Sequence, residues 1–136
     1  MSDTFARQET ALSDMLHAAV RGPRRNGLFA VWLVLRACGD LLPPNRVSDR
    51  GHRQRIANIA GRLHSLSLPA PLRKALAGSI HQLSEGTAAA ASIALRQLVA
   101  PVGETLGPAS ADAIARAARI AGEVRRRTGW METAGG

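Results

Sequence analysis

The sequence predicts an all-α protein: an up-and-down antiparallel helical bundle of four main helices, or five to six if every break in the pattern separates two. Three observations carry this. Alanine and leucine dominate the 136 residues, Tyr is absent, and Phe5, Phe29, Trp32 and Trp130 are the only large aromatics. Strands draw on aromatic and β-branched residues, whereas alanine and leucine favour helices. Apolar residues recur at spacings of three and four, the period of one helix face. The connections are short, so consecutive helices should lie antiparallel as neighbours. At this length one domain is the default. It is assigned to residues 1–130, with the polar "METAGG" at 131–136 as a flexible tail.

The first helix is placed at about 3–20. Phe5, Leu12, Leu16, Ala19 and Val20 recur at helical spacing and make one apolar face. "RGPRRNG" at 21–27 breaks it with Gly and Pro. The second helix, about 27–42, is apolar nearly all round, with Arg36 and Asp40 its only charges, four apart and able to pair. So apolar a helix is central in a bundle or faces a partner subunit.

The third helix, about 48–66, has Ser48 as N-cap and Ile56, Ile59, Leu63 and Leu66 inward. The fourth, about 70–84, turns Leu72, Leu76, Ile80 and Leu83 inward. The fifth, about 87–100, is built on Leu95, Leu98 and Val99, and Pro101 should kink or end it. The sixth, about 110–128, has Ser110 as its candidate N-cap and packs Ile114, Ala117, Ala121 and Val124 inward. Alanines on that face permit close helix approach. Gly129 suits the left-handed position after a helix, and Trp130 can fold back on Val124.

Charge is the strongest functional signal. The chain carries a formal +8, all but one of its cationic side chains being arginine. Residues 1–20 are at −2, residues 21–74 at +9 and residues 75–136 at +1. The excess therefore lies in one middle segment, an electrostatic footprint for an anionic partner. In an up-and-down order the turns at 21–26 and 67–71 share one end. That end gathers Arg21, Arg24, Arg25, Arg62, Arg73 and Lys74, while Arg46, Arg50, Arg53 and the triplet Arg125–Arg127 fall at the other. Arg50, Arg53, Arg73 and Lys74 stand in first turns, where cations oppose the macrodipole at about 0.3–1 kcal/mol each. Binding is a better reason for them than stability.

Arginine matches phosphate by paired hydrogen bonds, so a nucleic acid fits. Scarce aromatics argue against base stacking and for backbone or shape contacts. A membrane surface would want large apolar groups beside the basic ones, and the longest apolar run, "LFAVWLVL" at 28–35, is far below the ~20 residues of a span. The amphipathic N-terminal segment lacks the basic start and apolar core of a signal peptide. With Cys38 as the lone cysteine, a reducing, cytoplasmic setting is the simple expectation.

Catalytic chemistry finds little footing. His17, His52, His64 and His81 lack the close helical spacing of a zinc site, carboxylates are few and scattered, and no nucleophile motif or phosphate-cradling glycine loop occurs. The expectation is a non-enzymatic binder without metal or cofactor. Phe29, Trp32, Leu33 and Trp130 are the candidate protein-interface residues. Two other classes stay open: a helical adaptor or homo-oligomer whose charge serves solubility, and a small-ligand site between helices.

Two stretches carry a resemblance. "GPRRNG" at 22–27 resembles the Pro-basic-basic segment introducing an early helix in the accessory variability proteins of diversity-generating retroelements. "EVRRRTGW" at 123–130 is similar to their C-terminal helix end. The resemblance implies an oligomerising bundle, a pentamer in that family, that binds a reverse transcriptase and its template RNA. It favours RNA over DNA here.

Overall fold

The computed structural model describes residues 4–43 and 46–135, with residues 125–135 as backbone alone. Six helices and no strand occur among them: α1 (Phe5–Ala18), α2 (Pro23–Gly39), α3 (Asp49–Ser65), α4 (Ala70–Leu83), α5 (Ala88–Leu106) and α6 (Pro108–Gly135). They run from 14 to 28 residues, so length does not set four principal helices apart from two lesser ones. None is long and apolar enough to cross a membrane among the described residues.

Local chemistry accounts for several helix starts. Thr4 Oγ1 accepts from the Arg7 N–H at 3.1 Å, Ser48 Oγ from Gly51 at 3.1 Å and Thr87 Oγ1 from Ala90 at 3.0 Å. Elsewhere the ends differ from the sequence expectation. α2 begins at Pro23, with Gly22 at φ +97° just before it. Proline at the first helical position has its φ preset and lacks an N–H that would have no helical partner anyway. Arg24 and Arg25 therefore lie in a helix's first turn and not in a loop. α1 ends at Ala18, which leaves Val20 76 % exposed instead of on the inward face.

α5 runs through Pro101 and stops six residues later at Gly107, φ +99°. Leu98, Val102 and Leu106 are buried along one side, so tertiary packing holds the helix across the hydrogen bond that proline removes. α6 starts immediately at Pro108. Ser110 is thus inside its first turn, buried, and its hydroxyl donates back to the Leu106 carbonyl at 3.4 Å. It is not the N-cap. The α6 backbone stays helical past 128 to Gly135.

α2 touches each of the other five helices. Its all-round apolarity is thereby explained: Leu28, Ala30, Val31, Val34, Leu35, Ala37 and Cys38 are fully buried. The most extensive contact is α5 with α6, where Ala91, Ala94, Ala113, Ala117, Ala118 and Ala121 are buried and keep the helices close. α1 packs on α2 and α6, whereas α3 packs only on α2 and α4. α3 is the thinnest-rooted helix, with His52, Ile59 and Leu63 its only buried residues.

Cross-contacts relate the helix ends. Asn26 donates to the Ser67 carbonyl at 3.3 Å, and Arg24 to Leu106 O at 2.5 Å. This gathers the α1–α2, α3–α4 and α5–α6 turns at one end. At the other, His52 Nε2–H donates to the Leu83 carbonyl at 2.8 Å and Arg46 to Gly86 O at 3.4 Å. Phe5 and Glu9, early in α1, lie over Gly39 at the end of α2, where an added Cβ would come within 2.7 Å of Glu9 Oε1.

Candidate functional site

The site is the end of the bundle where the α1–α2, α3–α4 and α5–α6 turns meet. Arg21 stands in the first turn segment. Arg24 and Arg25 open α2, Arg62 lies in the last turn of α3, and Arg73 and Lys74 follow the start of α4. All six are exposed, as are Arg46, Arg50 and Arg53 toward the opposite end. The side chains of Arg125–Arg127 and Trp130 lie outside the described residues.

Three of these arginines are anchored by carbonyls at the ends of other helices. Arg24 Nη1 donates to Leu106 O, the last residue of α5, at 2.5 Å. Arg25 Nη1 donates to Ala19 O at 3.2 Å and Val20 O at 3.4 Å, just past α1. Arg73 Nη2 donates to Leu66 O, just past α3, at 2.7 Å. The last carbonyls of a helix have no partner within it and form its negative end. A cation that opposes the dipole of its own helix therefore satisfies the end of a neighbour. For Arg73 this supplies a structural cause for a position that binding alone seemed to explain. Both uses are compatible, because a guanidinium has five N–H donors and only one nitrogen of each is engaged.

No carboxylate forms an ion pair with the group among the described residues. Among the described residues the one ion pair joins Arg55 to Asp40. The expected Arg36–Asp40 pairing within α2 is not made. Asp40 reaches across to α3, and the Arg36 guanidinium lies over the Trp32 ring, 5.1 Å from its centroid. Arg62 similarly covers Phe29 at 5.8 Å, and Phe29 stacks on Trp32 at 6.2 Å and 26°. Such cation–π contacts contribute about 0.5–1 kcal/mol each at exposed sites. Arg55 and Arg62 are seven apart, two turns along one face of α3, and that spacing could have revealed that both reach α2. Phe29, Trp32 and Leu33 are half-buried, packed on the core with one side toward solvent.

Near the opposite end Glu9, Arg36 and Asp40 line a cavity of about 250 Å³ together with Phe5, Gly39 and Pro43. Burial pushes the Glu9 carboxyl above its ordinary value, partly offset by the positive charges of Arg36 and Arg55 and reinforced by Asp40. Cys38 is fully buried, and burial drives its thiol far up, so it is an inert core residue. His52 is buried and used by the Leu83 carbonyl, while His17, His64 and His81 are exposed. No three His, Cys, Asp or Glu converge as metal ligands among the described residues.

No family model, curated protein or solved structure matches the chain.

Proposed function

We propose that this chain is a non-enzymatic, cytoplasmic helical accessory protein, its helices in up-and-down order, that binds nucleic acid through its basic end. The observation that carries the reading is the gathering of Arg21, Arg24, Arg25, Arg73 and Lys74 around turns tied together by Asn26 and Ser67, without a carboxylate partner among the described residues. Carbonyl anchors hold three of the guanidinium groups in place, which lowers the ordering cost when a phosphate meets them. Arg46, Arg50, Arg53 and Arg62 extend the basic surface. Phe29, Trp32 and Leu33 offer a protein partner an apolar step flanked by arginine. The resemblance to retroelement accessory proteins makes a template RNA and its reverse transcriptase the partners to try first.

The test is affinity against salt. About six phosphate contacts give a log–log slope near −5 on duplex. Changing Arg21, Arg24 and Arg25 together to Ala should flatten the slope by roughly 3, at ~0.9 for each phosphate no longer neutralised. An unchanged slope would remove this end from the binding surface. A second reading is a protein adaptor or homo-oligomer with no nucleic-acid role, favoured by the half-exposed Phe29–Trp32 pair. It predicts self-association or partner capture sensitive to Trp32→Ala, with no salt-dependent binding of RNA or DNA.

A further inference from the structure

A second surface, which shares Arg73 with the basic end but is otherwise distinct from it, lies between α3 and α4. Their contact is slight, and a groove of about 320 Å³ opens along it. Leu63, Leu68 and Ile80 form apolar walls, and Ala60 and Ala77 leave open the middle that larger side chains would close. The charged and polar groups on the lining are Arg73 and His64. The Leu66 carbonyl pins Arg73 through one nitrogen and leaves its other donors to face a ligand.

We propose that this groove binds a small anionic amphiphile: an aliphatic chain against Leu63, Leu68 and Ile80, with its carboxylate on Arg73. Size supports a small ligand, since the volume holds roughly ten water-sized groups at ~30 Å³ each. The groove involves only residues 60–64 and 68–80, about one turn of α3 and two of α4 beside the α3–α4 turn. It is therefore a short slot and not a channel along both helices into which a partner helix could lie. Charge supports an anion, because no carboxylate lines it. A second copy of the chain would bring a second Arg73 against the first. Nucleic acid would place charge, and no apolar body, against leucine. A few placed polar groups around an apolar hollow are the usual composition of a small-ligand site.

The probe is octanoate, with octanol and octylammonium as neutral and cationic counterparts. Calorimetry and the His64 ring resonances, assigned through His64→Gln, follow binding. Octanoate should saturate at one per chain, bind more tightly than either counterpart, and shift His64. Arg73→Ala should weaken it about tenfold, the loss of one charge-assisted bond. Ala77→Trp should fill the slot and abolish binding, with an unchanged far-ultraviolet spectrum showing that the fold is kept. The triple alanine variant at Arg21, Arg24 and Arg25 should bind octanoate normally, which separates this site from the part of the basic end that those three residues form. Equal binding of the three probes, lack of saturation, or indifference to Ala77→Trp would overturn the assignment. So would an acidic amphipathic peptide or a self-association blocked by Ala77→Trp while octanoate does not bind.

Discussion

Replacing Leu35 by Ala measures how far α2 is buried. Leu35 is fully buried in the helix that touches all five others. The change deletes three carbons, worth about 2.4 kcal/mol of transfer at ~0.8 per methylene. The cavity left behind raises the cost to about 3–4 kcal/mol. At ~2.1 cal/mol/K per residue, 136 residues unfold with about 0.29 kcal/mol/K, so the midpoint should fall by roughly 10–14 °C. Leu33, two positions away and half-exposed, makes the internal control. Its truncation removes about half the transfer term, roughly 1 kcal/mol and ~4 °C. Urea titration followed by circular dichroism checks both, with m unchanged. Comparable losses at the two positions, or a loss below ~1 kcal/mol at Leu35, would refute α2 as the centre of a monomeric core. A midpoint that rises with protein concentration in the wild type and not in Leu33→Ala would place that face in a subunit interface instead.

Four further outcomes follow from the packing. Gly61→Ala should stabilise by about 0.5–1 kcal/mol, since the new Cβ meets nothing within 4 Å and helix propensity improves. Gly27→Ala should be neutral or destabilising in the same titration, because its Cβ would fall 2.8 Å from a Leu106 methyl and 3.2 Å from one of Leu72. Glu9 has a native pKa raised above 4.5 by burial, so the folded state binds more protons than the unfolded between those two values. Stability contributed by this group is present at low pH and is lost as pH rises through that window. Glu9→Gln should flatten the decline, so the free-energy difference between variant and wild type should move in favour of the variant with increasing pH. Cys38 should resist iodoacetamide at pH 8 in the native protein and react at a rate set by unfolding. Fast native alkylation would mean that α2 opens locally.

Helical class, six helical segments and most of the core are legible in the chain alone. Periodicity and alanine content act over a few residues, and Ser48 capping is a contact within three. The same locality explains the inward faces of α4 and α6, and the exposed position of Arg21, Arg24, Arg25, Arg46, Arg50, Arg53, Arg62, Arg73 and Lys74. What depends on residues far apart in the chain emerged only on assembly. Pro101 reads as a kink or an end of the helix, and with α4 and α6 packed along it α5 continues past that proline to Leu106. Arg36 and Asp40 read as a pair until Trp32 and Arg55 compete for them. Arg73 reads as a cation placed against its own helix dipole, and Arg24 as part of a loop. Only the assembled end brings Leu106 O, 82 residues away, and Leu66 O within hydrogen-bond reach. One cause is common to these cases. A local preference is worth about 1–3 kcal/mol per residue at most, and buried packing or a carbonyl presented by another helix can match it.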